Sequence, residues 1–225
     1  MSTRVRIAAP AKINLWLRVF GRDARGYHAI ESLFQLLTLH DELEVEATGS
    51  GVTLSGAPAA LGDASHNLAV RAALRFFRQT GVQGGAAISL TKRIPWQAGL
   101  GGGSSDAAAT LRALNHIYGR PLEEEDLLTL GAELGSDVPF FLSGAALALG
   151  WGRGERLLAL APLPSLPALI VPPAAPVATA DAYAWLDQMR GSETTGEYAA
   201  ALPAAALTSW AQVKRHSSND FEPAV

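Results

Sequence analysis

Cysteine is absent from the 225 residues, which excludes a disulfide framework, a cysteine-ligated zinc site and a thiol nucleophile. Basic and acidic residues are nearly equal in number, and a formal net charge of only −3 at pH 7 argues against general binding to nucleic acid. No apolar run is long enough to span a bilayer, and the N-terminus lacks the charged start and apolar stretch of a signal peptide. We therefore expect a soluble cytoplasmic protein that handles a small molecule, with neither nucleic acid nor membrane as a partner.

The most informative stretch lies between a strand-like segment at 87–94 and an alanine- and leucine-rich helical pattern. Glycines allow a backbone to approach a ligand closely, and a helix that starts directly after them points its unpaired N–H groups into the loop. This arrangement predicts a phosphate site, with a plain glycine-rich linker as the alternative. The candidate contact residues are Pro95, Trp96, Gln97, Ala98, Gly99, Leu100, Gly101, Gly102, Gly103, Ser104 and Ser105.

Two common phosphate motifs are excluded by the order of residues in this stretch. No lysine follows the glycines, so the loop is not a P-loop. Asp106 stands where the dinucleotide-binding fingerprint needs a glycine, so the loop is not a Rossmann turn either.

The stretch instead resembles the phosphate motif P-x-x-x-G-L-G-S/G-S-S-A/D of the GHMP kinases (galactokinase and the homoserine, mevalonate and phosphomevalonate kinases). Pro95 and the run from Gly99 to Asp106 match it. The triple-glycine form is most similar to a branch that phosphorylates a cytidine diphosphate-linked polyol in isoprenoid precursor biosynthesis. The resemblance implies an ATP-dependent kinase with Mg²⁺ as cofactor, in which residues 95–105 bind ATP.

The segment Ala11–Phe20 alternates, so that Ile13, Leu15, Leu17 and Val19 share one face. The alternation predicts a strand with one buried face, and Lys12 and Asn14 lie on the opposite face. On the pattern alone they are a solvated lysine and a hydrogen-bonded asparagine. The segment Pro10–Leu15 also matches the family's opening P-A-K-I-N-L. That resemblance implies that both face the active site, Lys12 as a catalytic residue and Asn14 as a substrate contact.

Aromatic residues provide the candidate base site. Tyr27 and His28 follow Gly26 in a turn, where they would cap an edge of the core or, by resemblance to the family's G-Y-H segment, hold the cytosine ring. Stacking on Tyr27 suits a pyrimidine, and His28 can hydrogen-bond to its edge. The resemblance places Tyr183 as a second aromatic against the base.

Two polar residues stand at predicted helix starts. Asn67 is the expected N-cap of a helix at 68–79 that Gly81 ends, and the resemblance also places Asn67 near the adenine of ATP. Asp137 precedes Val138-Pro139, where a cap is the local interpretation. The resemblance to the family's G-A/S-D-V-P-F motif makes Asp137 the catalytic base instead. Lys12 beside it would offset charge on the reacting alcohol.

The remaining pattern predicts an α+β protein. Strands are expected at 33–39, 41–47, 52–55 and 168–171, a hairpin at 145–160, and helices up to Tyr118, at 122–134 and at 180–190. The resemblance implies the two-domain GHMP kinase fold, with an N-terminal domain like ribosomal protein S5 domain 2 and an incomplete ferredoxin-like C-terminal domain. The prolines from Pro162 onward favour a boundary that gives domains 1–161 and 162–225.

The family's third motif, a second glycine-rich loop of the type G-S/T-G, does not occur after Asp220. From ordinary domain sizes we expect about a quarter of the usual family length to be missing. Two alternatives to the cytidylyl-polyol kinase therefore stay open. One is a nucleotide-binding homologue without catalysis, and the other is a kinase of the same family with a different substrate.

Overall fold

The computed structural model describes residues 3–22, 26–58, 62–171, 177–191 and 207–223. These residues form two compact units, and neither is continuous in the chain. The first unit holds the described residues within 1–12, 37–95 and 100–144, and the second holds those within 13–36, 96–99 and 145–225. The predicted domains 1–161 and 162–225 stay a prediction.

Two long strands contribute to both units. Strand β1 spans Arg4–Arg22 and β2 spans His28–Thr48, and the two strands pair with each other. The sequence pattern predicted two strands, at 33–39 and 41–47, where β2 is continuous. That prediction was wrong because the strand continues through His40, which separated the two predicted strands, and Asp41 is fully buried within it.

In the first unit, the second part of β2 pairs antiparallel with β4 (Gly85–Thr91), from Glu42 opposite Thr91 to Thr48 opposite Gly85. Strand β3 (Gly51–Ser55) pairs parallel with β4. Its described residues also form the α-helices α1 (Leu68–Thr80), α2 (Gly102–Ile117), α3 (Glu124–Leu134) and α4 (Val138–Ser143). Buried side chains from strands and helices alike form its core, among them Leu43, Ile88, Phe76, Leu111 and Phe140.

In the second unit, the first part of β2 pairs antiparallel with β5 (Leu147–Gly152), which pairs antiparallel with β6 (Arg156–Leu160). Helices α5 (Thr179–Arg190) and α6 (Trp210–His216) belong to the same unit. One apolar cluster is centred on Trp16, Leu33, Leu147 and Val213, and another on Leu17, Val19, Ile30 and Leu186.

Most predicted elements are confirmed, including α1 with Asn67 as N-cap and Gly81 as C-cap, α3 ended by Gly135, and the hairpin of β5 and β6. The prediction of one buried face for β1 was wrong. Trp16 and Lys12, on the supposed solvated face, are 3% and 6% exposed because neighbouring elements cover both faces of this strand. The strand predicted at 168–171 is not formed, and Leu169 and Val171 are exposed.

The α+β prediction is confirmed by these strands and helices. Within the part of the chain described here, no helix is both long enough and apolar enough to cross a membrane. The polar loop and alanine-rich tract around 192–206 lie outside the described residues.

Candidate active site

The glycine loop, defined here as Pro95–Gly101, ends where α2 begins at Gly102. Gly99 and Gly101 both have φ of 71°, a left-handed conformation that favours glycine. Gly101 is the N-cap of α2, and no side chain caps the helix there. The first amide groups of α2 are therefore left for an external acceptor, and the helix dipole favours an anion at this end.

Lys12 and Asp137 lie side by side in the first unit, with 3.5 Å between Lys12 Nζ and Asp137 Oδ2. The Lys12 side chain is only 8% exposed, whereas that of Asp137 is 26% exposed. Asp137 occupies the N-cap position of α4, but its side chain makes no capping hydrogen bond. The carboxylate is thus not engaged with its own helix and is directed to the lysine.

Lys12 is also tied to the end of the glycine loop. Its backbone N–H donates to the carbonyl oxygen of Leu100 at 2.9 Å. A Cβ atom added at Gly101 would lie 3.0 Å from Lys12 Cγ, so the loop backbone runs directly against the lysine side chain. Two residues far apart in sequence, Lys12 and Asp137, are therefore brought together beside the start of α2.

Ser104 and Ser105, near the start of α2, differ in their surroundings. The position of a Cβ added at Gly135 is 3.8 Å from Ser104 Oγ, which places this hydroxyl near the turn that carries Asp137. The Ser105 hydroxyl is buried and finds no hydrogen-bond partner among the described residues. The described residues also contain no group of three or more His, Asp or Glu side chains that could hold a metal ion by themselves.

Asn67 lies in the same unit, where it caps α1 by accepting from Ala69 N–H at 2.9 Å. Beside it opens a cavity of about 140 Å³, whose lining includes Leu54, Gly56 and Pro58. The capping function of Asn67 is confirmed, and its predicted place on the adenine side of ATP stays a prediction.

The aromatic candidates lie in the second unit. The His28 and Tyr183 rings stack with centroids 5.1 Å apart and an angle of 16° between their planes. His28 is held on both sides, by Phe20 O at 2.7 Å from Nδ1 and by Asp187 Oδ1 at 3.0 Å from Nε2. Tyr27 is 54% exposed, and the Arg153 guanidinium lies 5.1 Å from its ring centroid.

Asn14 and the apex of the glycine loop also belong to the second unit. The Asn14 amide donates to Ser32 Oγ at 2.6 Å, and that hydroxyl donates to Trp16 O. In the loop, Trp96 is 51% exposed, and Gln97 has φ of 54°, which is unusual for a residue with a side chain. The substrate contacts predicted for these residues stay predictions.

Comparison with known proteins identifies the family. Residues 67–145 match the model of the GHMP kinase N-terminal domain. Over 97% of its length the chain is 42% identical to a 4-diphosphocytidyl-2-C-methyl-D-erythritol kinase of Bordetella parapertussis, and it covers 70% of that protein. The chain belongs to this family of GHMP kinases.

Further comparisons agree with the family assignment. A 4-diphosphocytidyl-2-C-methyl-D-erythritol kinase of Deinococcus radiodurans is 45% identical over 195 residues, and the chain spans 62% of that relative's length. The crystal structure of a 4-(cytidine 5'-diphospho)-2C-methyl-D-erythritol kinase superposes with a TM-score of 0.72 at 37% identity, over 98% of this chain and 76% of that one. A homoserine kinase from Cytophaga hutchinsonii, 19% identical with a TM-score of 0.55, shares the fold. The predicted GHMP kinase fold is confirmed.

Sequence reasoning missed one charged cluster of this GHMP kinase, formed by Asp41, Lys92 and Asp106. Lys92 Nζ forms ion pairs with Asp41 and, at 2.9 Å, with Asp106. Burial raises the pKa of the Asp106 carboxyl to about 7; the Lys92 ammonium opposes this rise, and Asp41 adds to it. Asp106 belongs to the glycine-rich motif, but no local pattern links it to Asp41 and Lys92, which lie 51 positions apart.

Asp187 was missed as well. It accepts from His28 and from Arg22, which lie 159 and 165 positions away in the sequence. Burial opposes its ionisation, but hydrogen bonds from Arg22 and His28 outweigh that effect and lower the pKa of the Asp187 carboxyl. An acidic residue on a short amphipathic helix is usually solvated, so the sequence offered no signal for this contact.

Proposed function

We propose that the chain transfers the γ-phosphoryl group of ATP to the 2-hydroxyl of 4-diphosphocytidyl-2-C-methyl-D-erythritol, a step in isoprenoid precursor biosynthesis. The observation that carries the proposal is the Lys12–Asp137 pair at 3.5 Å beside the end of the glycine loop. The family of the chain supports the choice of reaction and of substrate. The absence of cysteine fits the cytoplasm, which we propose as its location.

Phosphoryl transfer depends on position and charge more than on covalent chemistry by the protein. In the proposed mechanism the uncapped amides at the start of α2 bind the phosphate oxygens of ATP. The Asp137 carboxylate accepts the proton of the substrate hydroxyl as the new O–P bond forms and ADP leaves. The Lys12 ammonium, nearly buried beside it, offsets the negative charge that develops on the attacking oxygen.

The Ser104 and Ser105 hydroxyls, near the start of α2, fit a contact with Mg²⁺, since the hydroxyl of Ser105 has no partner among the described residues. The described part of the chain has no acidic trio, so phosphate oxygens and water would supply the other ligands of this strongly hydrated ion. When bound, the ion neutralises part of the phosphate charge.

The cavity beside Asn67 and the stacked rings of His28 and Tyr183 support the sites proposed for the two bases. We propose that the cavity beside Asn67 takes the adenine of ATP. His28, Tyr183 and the exposed Tyr27 are the proposed contacts of the cytosine, which presents a flat face and a polar edge. Asn14 is the proposed contact of the polyol.

Coupled release of ADP from ATP, Mg²⁺ and 4-diphosphocytidyl-2-C-methyl-D-erythritol tests the proposal with the 225-residue chain. We expect turnover of about 1–100 per second, the usual range of kinases. Homoserine and mevalonate serve as comparison substrates. Turnover of either one, with none of the cytidylyl substrate, would refute the choice of substrate but keep the kinase. An ATP-induced rise in melting temperature without turnover of any substrate would favour a non-catalytic nucleotide-binding protein.

Asp137→Asn tests the proposed base. We expect kcat to fall by a factor of about 10²–10⁴, because the proton acceptor is lost, while the Kd for ATP changes little. Glu124→Gln, which removes an exposed acid from the first turn of α3, is the matched control and should keep wild-type kcat. An Asp137→Asn variant with wild-type kcat would remove this residue from the mechanism.

A further inference from the structure

We infer that Asp41, Lys92 and Asp106 form a positioning cluster that holds both ends of the glycine loop for ATP. The inference rests on the proposed function, since it concerns the same phosphate site, but none of the three residues contacts substrate in the proposed mechanism. We name them the 41–92–106 cluster. Asp41 is its central positioning residue.

The cluster is buried and closely connected. The Asp41 side chain is completely buried, and those of Lys92 and Asp106 are 11% and 3% exposed. Lys92 Nζ contacts Oδ2 of Asp41 and lies 2.9 Å from Oδ2 of Asp106. One ammonium group therefore links strand β2 to the first part of helix α2.

Asp41 also holds the backbone that leads into the loop. Its Oδ1 accepts the N–H groups of Arg93 at 2.5 Å and Ile94 at 2.8 Å. Ile94 directly precedes Pro95, where the glycine loop begins, and its side chain is 3% exposed. The incoming end of the loop is thus fixed to a carboxylate in the middle of a strand.

The outgoing end is held by the same ammonium. Asp106 lies in the opening turns of α2, immediately after the two serines. A Cβ added at Gly102 would be 3.2 Å from Lys92 Nζ, so the lysine lies against the first residue of the helix whose amides are to bind phosphate. A shift of Lys92 would displace the start of α2 relative to Ile94.

General stabilisation is a weak explanation for such a cluster. A buried ion pair often contributes little net stability, because the cost of removing the charges from water offsets their attraction. What a buried hydrogen-bonded network does provide is a defined geometry, although Asp106 Oδ1 finds no partner among the described residues. Here that geometry concerns the two ends of one loop, and small displacements of a binding group can cost a large factor in activity.

Asp41→Asn is the sharpest variant, because the amide oxygen can still accept from Arg93 and Ile94 while the bond to Lys92 is lost. We expect the Kd for ATP with Mg²⁺, measured by calorimetry at 25 °C, to rise by a factor of about 10–100, by analogy with the loss of a supporting partner behind a metal ligand. The KM for the cytidylyl substrate should stay within about twofold, because its proposed contacts lie elsewhere. Amide hydrogen exchange at 100–105 should become faster in the variant without any ligand.

Two controls on the same strand separate positioning from stability. Glu46→Gln removes the carboxylate of an exposed ion pair with Arg4, and Val45→Ala weakens the buried core outside the cluster. Both should leave the Kd for ATP and the exchange at 100–105 unchanged. Asp106→Asn is the second test variant, and keeps the test valid if Asp41→Asn does not fold. It should raise the Kd in the same direction, by a smaller factor, because the Asp41–Lys92 pair remains.

The outcomes distinguish this inference from the proposed function. A wild-type chain that binds ATP, with an Asp41→Asn variant that binds equally well and exchanges equally slowly, would overturn the positioning cluster alone. An equal rise in Kd for Val45→Ala would do the same, since it would reveal a general loss of stability. A wild-type chain that binds no ATP would refute the proposed function, and unchanged exchange in both cluster variants would then overturn the inference separately.

Discussion

Replacing Gly101 by alanine tests how closely the glycine loop packs against the proposed catalytic lysine. Gly101 has φ of 71°, and an added Cβ would lie 2.9 Å from Phe141 Cζ and 3.0 Å from Lys12 Cγ. The left-handed conformation costs an L-residue about 1–2 kcal/mol, and overpacking adds about 1–3 kcal/mol. Alanine also lowers the conformational entropy of the unfolded chain, which offsets about 0.4–1 kcal/mol of this destabilisation. We therefore expect a net destabilisation of about 1–5 kcal/mol.

Two neighbouring glycines supply matched controls. Gly99 also has φ of 71°, but an added Cβ would meet nothing within 4 Å, so Gly99→Ala carries the backbone strain alone. Gly103 lies in α2 without a positive φ, and its Cβ would make an ordinary contact of 3.5 Å with Leu68 Cδ1. Gly103→Ala should stabilise the protein by up to about 1 kcal/mol, the difference in helix propensity.

Thermal unfolding of the three variants is the assay. At about 2–4 °C per kcal/mol for a chain of this size, Gly101→Ala should lower the melting temperature by roughly 2–18 °C. Gly99→Ala, without the overpacking, should lower it by only roughly 0–6 °C, and Gly103→Ala should raise it slightly. The kcat of Gly101→Ala should fall as well, since its methyl group pushes against Lys12. The reasoning would be refuted if Gly101→Ala were as stable as Gly99→Ala, because Phe141 and Lys12 would then move aside without loss of stability.

Two further predictions concern the second unit. The lowered pKa of Asp187 means that its stabilisation is present above the unfolded value of about 3.9 and is lost as the pH falls through the lower folded value. Asp187→Asn should therefore lower the melting temperature at pH 7 and lose this effect in acid; a difference that does not vary with pH would contradict the hydrogen bonds that Asp187 accepts from Arg22 and His28. Gln97 has φ of 54°, so Gln97→Gly should relieve strain and stabilise the protein by up to about 1 kcal/mol in urea unfolding, and a loss of stability would show that its side chain makes a contact of greater value.

Local signals in the sequence were sufficient for the elements that frame the site. Asn67 and Gly81 mark the ends of α1, and the glycines before Ser104 mark the start of α2, because caps and breakers act within a few residues. The family motifs then singled out Lys12 and Asp137, which the fold brings to 3.5 Å. No periodicity predicts that distance.

The features that could not be predicted depend on contacts between distant residues. Asp41 begins a predicted strand, but its burial becomes intelligible only once Lys92, Arg93 and Ile94 are placed against it. Trp16 falls on the face of β1 that alternation assigns to solvent, and it is buried by Leu33, Leu147 and Val213. Burial of a polar or aromatic side chain is decided by its partners, and those partners are chosen by topology.

Asp137 shows how a local and a functional interpretation can both apply to one residue. Its backbone occupies the N-cap position of α4, as the following Pro139 indicates. Its side chain, however, makes none of the hydrogen bonds by which an N-cap residue stabilises a helix. The start of α4 thus fixes the position of the Asp137 backbone, while its carboxylate is directed to Lys12 of strand β1. Because a cap interaction would be worth about 1 kcal/mol, its absence is a local cost that the pair with Lys12 must offset. An N-cap residue without a capping hydrogen bond is expected at a functional site rather than at a purely structural helix end.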